Sequence, residues 1–272
     1  MQRKAVHSGT FYPRFEPQIL RQINKWLEDA SPPSALERSL GLIVPHAGYM
    51  YSGKCASLAY HNLSYEQVDS FIILHPSHHG VHFNFALSPY TIYESPLGNL
   101  ELDSELAMQI SPHCDSSVSY SYHQNEHSME IQLPLIKHFF PHTRIVPIML
   151  GRQTPENAQK LAAILYDVII KSSKRIVVLV STDLSHYHQS RVAEQLDGNL
   201  IQYLENIDTQ GLWEAILNNQ CEACGIGAVL TLMYLAKLYS TTSVKVIQYT
   251  HSGQMTDNNQ QVVGYLAAKF LI

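Results

Sequence analysis

Three of the most apolar runs in this sequence stop at histidine-bearing turns, and that repetition restricts the fold more than any other feature. Leu40 to Val44 ends at Pro45-His46, and Ser70 to Leu74 ends at His75-Pro76-Ser77-His78-His79. Arg175 to Val180 ends at Ser181-Thr182-Asp183-Leu184-Ser185-His186. Short apolar runs bounded by turn residues read as strands covered on both faces, the kind that parallel sheets contain. In open α/β sheets, ligands and chemistry gather beyond the carboxyl ends of such strands. The pattern therefore predicts that residues far apart in sequence converge on one crevice.

Between these runs the periodicity turns helical. Glu16 to Leu27 carries Ile19, Leu20, Ile23, Trp26 and Leu27 on one face, with Pro32-Pro33 as the stop. Ser52 to Tyr60, His127 to Phe140 (Pro134 a kink or break), Val192 to Glu205, Thr209 to Leu217 and the apolar stretch Gly225 to Leu238 also read as helices. Thr154-Pro155-Glu156 opens another, with a capping threonine and a proline at the first helical position. Strand patterns recur at Phe85–Tyr93, around Val118–Tyr122, and at Arg144–Leu150, Ser243–Tyr249 and Val262–Phe270. Short strands alternating with helices predict a single α/β domain over residues 1–272, its mostly parallel or mixed central sheet flanked by helices.

Composition narrows the function classes. A net charge of −5 leaves no electrostatic footprint for nucleic acid or an anionic membrane. The opening Met1-Gln2-Arg3-Lys4-Ala5 lacks the apolar core of a signal peptide, and no run reaches membrane-spanning length. Four cysteines in such a chain read as reduced thiols, so a cytoplasmic location is expected. The 15 histidines nearly match the 18 lysines and arginines, and histidine is the commonest metal ligand.

Each candidate also has a plainer reading. A lone histidine after a strand is more often a hydrogen-bonded turn residue than a ligand. His78 and His79 are neighbours whose side chains diverge in an extended segment, so only one is expected to ligate. Asp183 fits an Asx-type cap. Cys221-Glu222-Ala223-Cys224 has redox or zinc spacing but no second pair, and Cys55 and Cys114 stand alone, so each thiol reads most simply as buried and inert. His123-Gln124-Asn125-Glu126-His127 spells the inverted zinc-protease signature, whose histidines must lie one turn apart on a helix. Here Val118–Tyr122 alternates like a strand and the helix is expected to start after Glu126, which disfavours that chemistry.

Several of these segments together resemble the Memo family: Pro45-His46-Ala47-Gly48-Tyr49, Pro76-Ser77-His78-His79, Glu126-His127-Ser128-Met129-Glu130, Ser181-Thr182-Asp183-Leu184-Ser185-His186 and Ala223-Cys224-Gly225. The opening Ala5-Val6-His7-Ser8-Gly9-Thr10-Phe11-Tyr12 fits as well, so the similarity runs nearly the whole chain in order. The resemblance implies a fold similar to the class III extradiol dioxygenases, non-haem iron enzymes that cleave catechol rings. Carried over by motif, His46, His78 and Cys224 correspond to metal ligands, and Asp183 and His186 to nearby polar residues, His186 matching the dioxygenases' general base. Ala228 stands where proline is expected, which puts the shape of the turn after Cys224 in question.

The resemblance implies first a metal-dependent, dioxygenase-like oxidoreductase acting on a small phenolic or chelating substrate. Two imidazoles and one anionic ligand suit Fe(II), and a thiolate in place of a carboxylate also admits zinc or copper. It implies second a non-enzymatic peptide-binding or signalling module. A zinc hydrolase built on His123 and His127 is the third expectation. Radical-SAM and AMMECR-type proteins are the partners the resemblance suggests.

Overall fold

The computed structural model describes residues 1–32, 37–239 and 243–272. In chain order, β1 (Gln2–Arg3) and α1 (Glu16–Leu27) precede β2 (Ser39–Val44), α2 (Tyr49–Leu63) and β3 (Ser70–Pro76). Short strands β4 (Phe85–Leu87), β5 (Ile92–Tyr93) and β6 (Leu100–Leu102) lead to α3 (Ser104–Ile110), α4 (Tyr120–Asn125), α5 (His127–Glu130) and α6 (Gln132–Phe139). Then come β7 (Arg144–Leu150), α7 (Pro155–Lys171), β8 (Ile176–Ser181), β9 (His186–His188), α8 (Ser190–Glu205), α9 (Thr209–Leu217) and α10 (Ile226–Leu238). The chain finishes with β10 (Ser243–His251), α11 (Gly253–Thr256) and β11 (Val262–Leu271).

The strands join one mixed sheet in the order β1-β5-β6-β7-β3-β8-β2-β11-β10, with β4 added to β7 and β9 to β11. Its centre, from β6 through β2, is parallel, and β11 and β10 continue it antiparallel. Every residue of β2, β3 and β8 is buried, which is why these strands read as unbroken apolar runs rather than as alternation. Successive residues serve opposite faces. Ile43, Ile72, Leu74, Val178 and Val180 join one core under α7 to α10, while Leu42, Val44, Phe71, Ile73, Val177 and Leu179 join the other under α1, α2 and α6.

Three expectations need correction in detail, whereas helix α1 keeps the bounds read for it. Val118–Tyr122 forms no strand: Tyr120–Asn125 is helical, with Tyr120 packed on Tyr90 at 5.0 Å and His123 buried beneath. Serine–tyrosine alternation imitates a strand, but no neighbouring strand pairs with this segment and side-chain packing decides its form. Phe85–Tyr93 splits into β4 and β5 because Pro89 cannot donate to a ladder. Pro134 breaks nothing. The helix interrupts at Ile131, and Pro134 occupies the first turn of α6, where a missing N–H goes unused. Helix α1 ends at Leu27, ahead of Pro32, and Pro33 lies outside the described residues.

Helix α7 starts as the sequence dictates, with Thr154 accepting a hydrogen bond from the Asn157 amide and Pro155 following it. No helix among the described residues is long and apolar enough to cross a membrane. The expected cost of Thr154→Ala is about 1 kcal/mol of stability, read as a lower denaturation midpoint with unchanged slope.

Candidate metal centre

The carboxyl ends of β2, β3 and β8 are adjacent in the sheet and deliver His46, His78 and Asp183 to one place. Cys224 arrives from the opposite direction, just ahead of α10, with its amide bonded to the Asp183 carbonyl at 3.2 Å. An added Cβ on the next residue, Gly225, would come within 2.8 Å of the Ser181 carbonyl oxygen, so only glycine lets the chain pass this close to β8. Ala228 falls in the first turn of α10, where alanine and proline are both accommodated, so the departure at that position leaves the turn intact.

Hydrogen bonds fix the tautomer of each imidazole. His46 Nδ1 lies 3.0 Å from Ser181 Oγ. That hydroxyl donates its only proton to the Ser128 carbonyl at 2.7 Å and accepts from Gln132 Nε2 at 2.9 Å. It can therefore face His46 only as an acceptor, so Nδ1 carries the proton and Nε2 presents a lone pair, 3.2 Å from Cys224 Sγ. His78 donates from Nδ1 to Glu126 Oε1 at 2.8 Å and from its amide to Oε2 at 2.7 Å, which frees Nε2 in the same way. Donor atoms of His46, His78 and Cys224 all lie within 4.8 Å of one another.

The electrostatics suit a cation. Burial, reinforced by neighbouring histidines, pushes His46 down to about 3 and His127 down to about 3, so both rings are neutral. Burial, then the charge of Asp183, pushes the Cys224 thiol up to about 12. Burial opposes ionisation of Glu126, but hydrogen bonds from His78 and the nearby imidazoles outweigh it and hold the carboxyl well below its usual range. Glu126 in turn raises His78 against the effect of burial. Burial also raises Asp183, although its Oδ1 accepts from the amides of His46 at 2.7 Å and Ala47 at 3.3 Å. A neutral His46, a His78 held by a carboxylate, and a thiol that ionises only beside positive charge together fit a soft or borderline divalent cation.

A second trio, His78, Glu126 and His127, also brings its donor atoms within 4.8 Å. Its carboxylate is already committed, with Oε1 accepting from His78 Nδ1 and the Ser128 amide and Oε2 from the His78 amide. The trio containing Cys224 is the better ligand set.

Beyond these three candidate ligands opens a cavity of about 440 Å³, lined by Asp183, His186, His127, Phe11, Tyr51 and Tyr187 among others. His186 donates from Nδ1 to the Leu184 carbonyl at 2.7 Å, which leaves Nε2 as the ring nitrogen not engaged by that bond. Its neighbour Tyr187 is exposed and sits at φ 63°, in the left-handed region. Glu222 holds both sides of that residue, accepting from the His186 amide at 3.1 Å and bonding His188 Nε2 at 2.8 Å. A larger cavity, about 730 Å³, lies at the amino ends of the strands around Asp69, Asp103 and Lys174, where Lys174 and Asp103 pair at 2.9 Å.

Residues 3–269 match the family model described as Memo-like protein. The chain belongs to this family. It is 34% identical to the "MEMO1 family protein" of Desulfurococcus amylolyticus over 99% of both chains. It is 33% identical to that of Pyrobaculum arsenaticum over 98% of both. Among solved structures, the uncharacterized protein JW3007 from Escherichia coli K12 aligns with 84% of this chain and 99% of its own at TM-score 0.44 and 10% identity.

In this Memo-like chain the other candidates separate from the site. His79 turns outward to the Asn125 carbonyl at 3.0 Å. Cys55 and Cys221 are buried in the two cores, and all four cysteines are free. The H-x-x-E-H match fails partly as anticipated, since a helix does start after Glu126, at His127. Its first half is helical, but the helix breaks at Glu126, which has φ −75° and ψ 120°, so His123 and His127 do not share one helix face.

Sequence reasoning gave Gln132 no role, and His127 and Glu126 none beyond the disfavoured hydrolase signature. The His127 ring centroid lies 4.4 Å from His78 and 4.9 Å from Phe11. Gln132 spans from the Pro45 carbonyl to Ser181 Oγ, at 2.9 Å each. The available signal was polar residues set among apolar ones in Ser128-Met129-Glu130-Ile131-Gln132-Leu133, since buried polar residues are the informative ones. Ser181→Ala strands His46 Nδ1–H, the Gln132 amide and the Ser128 carbonyl. The expected loss is about 1–3 kcal/mol by chemical denaturation, with appearance of the second His46 tautomer in ¹⁵N spectra.

Proposed function

We propose that this Memo-like protein holds one divalent cation, Fe(II) foremost, through His46 Nε2, His78 Nε2 and Cys224 Sγ, and serves redox chemistry on a small substrate in the adjoining cavity. The supporting observation is the convergence of those three donor atoms within 4.8 Å, with the remaining ring nitrogens of both histidines tied to Ser181 and Glu126. Outer hydrogen bonds of this kind aim imidazoles at a metal and raise their basicity. When bound, Fe(II) with two imidazoles and one anionic ligand supplies a redox-active Lewis acid with open coordination positions. A thiolate ligand also accepts zinc or copper(I), so the donor set ranks these as alternatives to iron.

The chain's own residues supply the rest of the chemistry. His186 Nε2 takes a proton from a substrate hydroxyl as the substrate enters, its ring held by the Leu184 carbonyl. Asp183 orients the bound groups from the cavity floor. Phe11 and Tyr51 offer aromatic walls, and the lining includes neither lysine nor arginine. That composition favours an uncharged phenolic or other chelating molecule over a phosphate or carboxylate ester. Four free cysteines, one of them a proposed ligand, suit the reducing conditions of a cytoplasm.

The test is purification under anaerobic conditions without added metal, followed by elemental analysis and oxygen-uptake assays with a phenolic panel. Near-stoichiometric metal is expected in the wild type and loss of it in Cys224→Ser. His186→Gln is expected to keep the metal and lose turnover by about 10²–10⁴-fold. Metal content indifferent to Cys224→Ser overturns the ligand assignment. Metal-loaded protein that consumes no oxygen with any member of the panel overturns the redox half and favours a binding module.

A further inference from the structure

Arg3 has no place in the ligand set or the cavity, yet it is 1% exposed and uses its donors on one feature. Its Nε donates to the His123 carbonyl at 2.9 Å, and Nη2 donates to the carbonyls of Gln124 at 2.9 Å and Glu126 at 2.8 Å. Nη1 reaches Glu130 Oε2 at 2.6 Å and the Lys4 carbonyl at 3.3 Å. His123 and Gln124 close α4, where carbonyls lack helical partners, and Glu126 is the extended residue between α4 and α5. One planar cation therefore grips the chain on both sides of the break from which the Glu126 carboxylate projects.

We propose that Arg3 is a positioning residue for the metal centre: its guanidinium fork sets the backbone of Glu126, and through that carboxylate the tautomer and direction of His78. The metal half of this claim rests on the ligand reading above; the tautomer half does not. The ion pair with Glu130 is a separate function. Glu130 Oε1 also accepts from the His7 amide and the Tyr12 hydroxyl, each at 2.8 Å, so that carboxylate anchors the segment carrying Phe11. Lysine keeps a positive charge for Glu130 but cannot reproduce three fixed, coplanar contacts to carbonyls.

Two variants separate the roles. Arg3→Lys retains charge and loses the fork, whereas Glu130→Gln loses charge and retains the fork. If Arg3 mattered only for charge balance and stability, Glu130→Gln would be the more damaging, since it leaves a buried cation without its partner. Positioning requires the reverse order at His78.

The measurement is ¹⁵N histidine spectroscopy on the full, metal-free chain, followed by titration with Co(II) as the metal probe. At a pH alkaline enough for the ring to be neutral, wild type and Glu130→Gln are expected to hold His78 as the single Nδ1–H tautomer, and Arg3→Lys to populate both. Arg3→Lys is expected to weaken Co(II) binding by about 10-fold or more, with Glu130→Gln at the wild-type affinity. If Arg3→Lys does not fold, Arg3→Met combined with Glu130→Gln leaves no uncompensated buried charge and is expected to show the same two-tautomer spectrum. A folded fork-less variant with wild-type His78 signals overturns the proposal, as does Glu130→Gln disturbing His78 as much as Arg3→Lys. Wild-type protein that takes up no Co(II) refutes the metal half alone, while the tautomer comparison still decides the positioning half.

Discussion

A negative charge with no access to water sits on Glu126, and the site around it takes its shape from satisfying that charge. An isolated buried carboxylate is costly enough that proteins normally neutralise it or surround it with donors. Here the donors are the amide and ring of His78 and the amide of Ser128, all drawn from chain that emerges at or near the end of β3 and the start of α5. The break in the helix is what lets one residue meet all three. Had α4 and α5 run on as one helix, the carboxylate would project from a helix side rather than cap a helix start.

The same economy of contacts governs the other imidazole. Ser181 closes β8 and simultaneously holds His46, Gln132 and the Ser128 carbonyl. Ser128 belongs to α5 and His46 follows β2, so one hydroxyl registers two strands and a helix against each other. Fully connected buried networks of this kind rigidify a site, whereas partial ones weaken it. His46 thus presents an unprotonated Nε2 before any ligand enters, while Glu126 holds the other nitrogen of His78.

Much of the architecture was legible because burial on both faces writes itself into composition. The strands β2, β3 and β8 contain hardly any polar residues, and the turn that follows each one starts abruptly with proline, serine or threonine. That made the carboxyl-end crevice readable, and with it His46, His78, Asp183 and His186. Long-range pairing left no such trace: nothing local to Val262–Leu271 says that it runs antiparallel beside β2, or that β9 folds onto its start. The Tyr120–Asn125 helix was misread because its serines and tyrosines alternate by accident of packing. The supports of the site were invisible for a related reason. Glu126, Gln132 and Arg3 act partly through backbone carbonyls and amides, and those partners carry no sequence signature beyond a polar residue set among apolar ones.

Tyr187 holds a backbone conformation that costs a non-glycine residue about 1–3 kcal/mol, and the carboxylate of Glu222 fastens the chain on either side of it. Glu222 is two residues from Cys224 in one short loop. The rim of the cavity and the Cys224 sulfur are consequently tethered to a single short span, like a latch and its bolt on one plate. Any excursion of that loop which draws the sulfur away from His46 must drag or release the Tyr187 turn. The position of the cavity entrance and that of the thiol are therefore set by the same stretch of chain.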